Sequence, residues 1–112
     1  MAADVPDRPT ETPELRRLRR RIDALDRRLV TLLNERAELG REVGREKRRA
    51  GFRTVRDAER EREVLLRVTM ANTGPLAQAD LLAVYRRLIG AVRALETRDG
   101  QGRGGDEHDD AG

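Results

Sequence analysis

Leu15, Leu18, Ile22, Leu25, Leu29, Leu32, Leu39 and Val43 recur at heptad-like steps within one stretch that is otherwise highly charged. Alternating steps of three and four make the apolar seam of a packed helix. Thr12-Pro13-Glu14 supplies a start signal, with Thr12 as cap and Pro13 at the first helical position. No proline follows until well past Arg49, and the only glycines in the stretch are Gly40 and Gly44. A helix of about 35 residues would be roughly 50 Å long, whereas a domain of this size is only about 30 Å across. Its seam must be covered by another chain, so the pattern predicts an obligate homodimer.

Ala50-Gly51-Phe52 breaks this helix, and a short connector runs to Val55. A second helix is predicted from Asp57 to about Ala71, with Ala58, Val64, Leu65 and Val68 on its buried side. Asn72-Thr73-Gly74-Pro75 is a stop-and-turn signal. A third helix is predicted from about Gln78 to Thr97, burying Leu81, Leu82, Tyr85, Leu88, Ile89, Val92 and Leu95. The fold class is therefore all-α, with one long and two shorter helices per chain. Residues 1–13 hold three of the four prolines and read as a disordered arm. Residues 99–112 are rich in Gly and Asp and read as a disordered tail, which leaves 14–98 as the helical domain.

Composition narrows the chemistry. With Phe52 and Tyr85 the only aromatics, the core must be built from Leu, Ile, Val and Ala. Charged residues make up 40% of the 112, yet the net charge is only +3, which marks interspersed, solvated helix faces. The absence of cysteine excludes disulfides, zinc-thiolate sites and thiol nucleophiles. The one histidine, His108, stands in the tail, so no histidine-based metal site or triad is expected. No apolar run reaches transmembrane length and residues 1–13 lack a signal-peptide core, so the expected location is the cytoplasm, with no membrane partner.

A few charges stand where the pattern calls for apolar groups. Arg36 interrupts the seam between Leu32 and Leu39, and Lys47, eleven residues on, projects from the same face. One such residue is ordinarily explained by snorkelling to the surface. Two buried cations on one seam imply an anion between them, either a protein carboxylate or a ligand. Lys47 is also the only lysine among 24 basic residues, a hint that a compact ammonium is wanted there. On the second helix Asp57, Arg60 and Glu61 form an i, i+3, i+4 cluster, which by itself could be a surface ladder of ion pairs. On the third, Glu96 continues the line of Leu88, Ile89 and Val92, so its carboxyl is either frayed into solvent or held at a pocket rim.

Four segments in order, Leu18–Asp26, Leu32–Arg36, Val43–Lys47 and Val55–Glu61, resemble the all-helical (AroQ-type, type II) chorismate mutases. The resemblance spans about residues 14–97 and implies a six-helix homodimer with intertwined first helices and two active sites. It implies chorismate as substrate, prephenate as product, a role in phenylalanine and tyrosine biosynthesis, and no cofactor or metal. By position, it places Arg36, Lys47, Asp57, Arg60 and Glu61 in a site within one subunit and brings Arg19 in from the other. Glu96 falls where the family has Gln or Glu near the ether oxygen. Val92 falls where the family often has Ser, so a hydroxyl contact to a substrate carboxylate is missing.

The implied reaction breaks a C–O bond and forms a C–C bond without a covalent enzyme intermediate. It asks only for a compact reactive conformer and for stabilisation of charge on the ether oxygen. Arg19 and Arg36 would clamp carboxylates, Lys47 would donate to the ether oxygen, and Glu61 with the backbone at Asp57 would fix the ring hydroxyl. Arg60 would orient the acidic cluster. A protonated Glu96 would donate to the ether oxygen, its pKa raised by the anionic substrate. An isochorismate-pyruvate lyase or an aminodeoxychorismate mutase are rivals on the same fold. A nucleic-acid-binding or scaffolding dimer is the rival of another class. Residues 14–56 carry fifteen basic residues, but seven acids are interleaved and stacking aromatics are lacking, so no nucleic-acid partner is expected.

Overall fold

A computed structural model describes residues 10–53 and 56–111. They form three helices, α1 (Pro13–Arg49), α2 (Ala58–Ala71) and α3 (Gln78–Ala111), with no strand among the described residues. The expected all-α class and the order of one long helix followed by two more are thus observed. Residues 1–9 of the expected arm, and Val55 at the end of the connector, lie outside the described residues.

Local hydrogen bonds set the helix ends. The Thr12 hydroxyl accepts from the Leu15 N–H at 3.0 Å, which caps α1 with Pro13 as its first residue. At the other end Gly51 takes a left-handed φ of 92°. That turn lets the Phe52 N–H reach the Lys47 carbonyl at 2.8 Å and the Gly51 N–H reach that of Arg48 at 3.1 Å, a Schellman closure. Asp57 caps α2 by accepting from the Arg60 N–H at 3.0 Å. Asn72 closes α2 and shapes the turn into α3, accepting from the Gly74 N–H and donating to the Leu76 carbonyl.

The chain divides into two units, residues up to Glu35 and residues from Arg36 onward. In the first unit every residue from Thr12 to Glu35 is exposed, including Leu15, Leu18, Ile22, Leu25, Leu29 and Leu32. In the second, Val92 is buried, and Val64, Leu65, Val68, Leu81, Leu82, Tyr85, Leu88, Ile89 and Leu95 are partly buried. Ala58, expected on the buried side of α2, is exposed in the first turn of that helix. The third helix also departs from expectation: it passes Thr97 and continues to Ala111. Arg41 of α1 binds both carboxylate oxygens of Asp99, at 2.8 and 3.2 Å, and Gly100 lies against the Arg48 side chain. Those contacts fasten α3 to α1 as far as Gly100, at the start of a segment whose glycines disfavour helix. Among the described residues no helix is long and apolar enough to cross a membrane.

Candidate active site

Two glycines let α1 and α3 approach. A Cβ on Gly40 would collide with Cγ1 of Val92, and one on Gly44 would stand 3.1 Å from Glu96 Cγ. Glycine costs about 1 kcal/mol against alanine inside a helix, and here that cost is offset by close packing. The approach leaves a cleft of about 300 Å³ between the second half of α1, the start of α2 and the middle of α3.

Each helix supplies charge to this cleft. From α1 come Arg36 and Lys47, with Leu39, Gly40 and Val43 as the apolar floor. The Arg36 guanidinium lies 6.0 Å from the centre of the Tyr85 ring, which steadies it by a cation–π contact. Lys47 sits in the last turn of α1, where the closure at Gly51 fixes its backbone. From the start of α2 come Asp57, Arg60 and Glu61, and from α3 Ile89, Val92, Arg93 and Glu96. Four cations therefore face three carboxylates, a balance suited to an anion.

Glu96 is 8% exposed, with Gly44 beneath its side chain. Burial pushes its carboxyl above the ordinary value of 4.5, against the opposing pull of Lys47, Arg48, Arg93 and Arg36. The direction is the expected one, and burial of the carboxyl is its cause here. Arg48 donates to the Glu96 carbonyl at 3.4 Å, while its buried Nε has no hydrogen-bond partner among the described residues.

Seven of the eight residues singled out from the sequence line this one cleft: Arg36, Lys47, Asp57, Arg60, Glu61, Val92 and Glu96. Arg19 does not line it; it is exposed on the first half of α1 and pairs with Glu11 at 3.2 Å. Sequence reasoning missed Arg93, whose Nη1 donates to Glu61 Oε2 at 2.5 Å across α3 and α2. The guanidinium that holds Glu61 is thus that of Arg93, whereas Arg60 pairs with Glu63 at 3.2 Å. The available signal was spacing, since Arg93 lies one turn before Glu96.

Residues 18–97, which include all eight positions, match the model of the family described as chorismate mutase type II. The chain belongs to that family. Among curated relatives, the bifunctional chorismate mutase/prephenate dehydratase of Aquifex aeolicus (strain VF5) is 36% identical over 89 residues, 76% of this chain and 24% of the relative. The protein of the same description from Stutzerimonas stutzeri is 36% identical over 92 residues, 78% of this chain and 25% of the relative. The chain therefore spans about a quarter of the length of these curated relatives. Among solved structures, chorismate mutase (form II) from Thermus thermophilus superposes with a TM-score of 0.73 at 30% identity, covering 76% of this chain and 96% of that one.

Proposed function

We propose that the chain is a chorismate mutase, converting chorismate to prephenate for aromatic amino-acid biosynthesis, in the cytoplasm. The observation that carries the reading is the cleft itself, where Lys47, Arg36 and a buried Glu96 converge in a chain of the type II family. The substrate is a dianion, and Arg36 would take one carboxylate through its guanidinium fork. Lys47 would donate to the ether oxygen as the C–O bond breaks and negative charge grows there. Glu96, whose carboxyl burial makes easier to protonate, would in its protonated form donate a second hydrogen bond to the same atom. Glu61 and the backbone at Asp57 would take the ring hydroxyl, Arg60 would add positive potential, and Val92 would form an apolar wall. Holding the reacting carbons together supplies the remainder of the acceleration.

The proposal includes a homodimer. The exposed stripe from Leu15 to Leu32 would be covered by the same stripe of a second copy, and Arg19 of that copy would bind the other carboxylate. Each such Leu or Ile is already about half covered, so covering the rest contributes about 1 kcal/mol apiece, and together they can drive association. The catalytic domain is residues 14–98, with the arm 1–13 and the tail 99–112 outside it.

The test is the loss of chorismate absorbance with purified protein, with the product identified, for wild type and Lys47→Ala. Prephenate should form, and Lys47→Ala should lose on the order of 100-fold or more in kcat/KM with helical content unchanged. Salicylate plus pyruvate would replace the reading with a lyase. No turnover by a folded dimer would overturn it.

A further inference from the structure

Glu61 is engaged before any ligand could reach it. Its Oε2 accepts from Arg93 Nη1, and its Oε1 lies 4.0 Å from Arg56 Nε. Both members of the Arg93–Glu61 pair line the cleft, and both side chains are about two-thirds or more covered. The neighbouring acid, Asp57, accepts from the Arg60 N–H as the cap of α2, so Glu61 is the acid at this end of the cleft whose charge is held by a guanidinium.

The pair carries no net charge, but the carboxylate keeps its lone pairs. Two oxygens offer about four acceptor positions, and a single guanidinium N–H occupies only one of them. A neutral O–H donor can still bind. An ammonium gains little, because the field of the carboxylate is cancelled and the guanidinium repels a second cation. We propose, building on the chorismate reading above, that Arg93 is a specificity-determining positioning residue: by pairing with Glu61 it makes the site accept a ring hydroxyl and reject an ammonium at the same ring carbon. Arg93 acts through Glu61 and need not touch substrate. Of the other cations of the cleft, Arg36 and Lys47 are committed to carboxylate and ether oxygen in that reading and Arg60 pairs with Glu63, so Arg93 is the group that distinguishes the two substituents.

The experiment compares chorismate with 4-amino-4-deoxychorismate, which differs by that substituent, in wild type, Arg93→Gln and Arg93→Lys. Calorimetric affinities and kcat/KM are measured for both compounds. Arg93→Gln should weaken chorismate mainly through KM, by about tenfold, since a charge-assisted contact that holds Glu61 is lost. The ratio of amino to hydroxy compound should rise by about tenfold or more, and Arg93→Lys, which keeps the charge, should hold the wild-type ratio. In a Glu61→Gln background the ratio should no longer respond to Arg93→Gln. Arg93→Met, similar in length, replaces Arg93→Gln if that variant melts below the assay temperature. An unchanged affinity ratio in Arg93→Gln, or in Arg93→Met where it stands in, overturns the inference whether or not chorismate turns over. Failure of wild type to turn over chorismate, with the affinity ratio still shifting, overturns the reaction and leaves the role of Arg93 standing.

Discussion

Gly44 of α1 lies beneath Glu96 of α3, so that a methyl group on Gly44 would stand 3.1 Å from Glu96 Cγ and 3.3 Å from its Cβ. The carboxyl is held in place by the absence of a side chain on the facing helix. Gly44→Ala should gain helix propensity of about 1 kcal/mol and lose a similar amount to the displaced neighbour. The melting temperature should therefore stay near that of wild type while kcat falls by about tenfold from the misplaced donor. Gly40→Ala meets Val92 Cγ1 head-on and should instead cost about 1–3 kcal/mol of stability. Thermal melts and steady-state rates on the two variants separate these outcomes.

The raised pKa of Glu96 has two consequences of definite sign. In the proposed mechanism only the protonated form donates to the ether oxygen, so kcat should fall as pH rises through the Glu96 value. Glu96→Gln, a permanent donor, should flatten that limb, and a profile unchanged from wild type would remove Glu96 from the role. For stability, a carboxyl whose folded pKa lies above its unfolded value favours folding below the unfolded value, near 4.5, and loses that contribution as pH rises through the folded one. Glu96→Gln should accordingly be more stable than wild type at neutral pH, with the difference shrinking in acid. Denaturant melts across pH measure it.

Asp99 behaves in the opposite sense. Its hydrogen bond with Arg41 holds its carboxyl below the ordinary value of 3.8. The contribution of the pair is present above the unfolded value and is lost as pH falls through the folded one. Asp99→Asn should lower the melting temperature slightly at neutral pH, and the gap should close in strong acid and narrow in high salt. A gap that persists in acid would show that the ion pair is not what joins α3 to α1.

The exposed stripe of α1 gives a test of assembly. Leu25→Glu places a charge in the middle of the proposed interface and should convert the dimer to monomers or aggregates, seen by sedimentation, with loss of activity. Arg19→Ala should leave the dimer intact and lose activity. Mixing and exchanging Arg19→Ala with Lys47→Ala subunits should restore about a quarter of wild-type activity, because half the dimers then carry one complete site. No recovery after exchange would place Arg19 outside the partner's site.

What could be read from the chain alone was whatever local bonds and periodicity encode. Thr12, Gly51 and Asp57 announce helix ends because each cap is closed by hydrogen bonds within about one turn. Arg36, Lys47 and Glu96 announced a site because each breaks an apolar face, and the cleft does bring them together. The long seam implied a surface that one chain cannot cover, and its apolar residues are exposed. Other features depend on groups far apart in sequence. Arg93 looks like one more solvated arginine among 24 basic residues until the packing of α2 on α3 sets Glu61 against it. The run of α3 beyond Thr97 opposes its own glycine content and is fastened by Arg41, 58 residues away from Asp99. Which glycine faces Val92 and which faces Glu96 follows from the register of α1 on α3. Periodicity places a residue on a face, but only the packed helices decide which charge meets which.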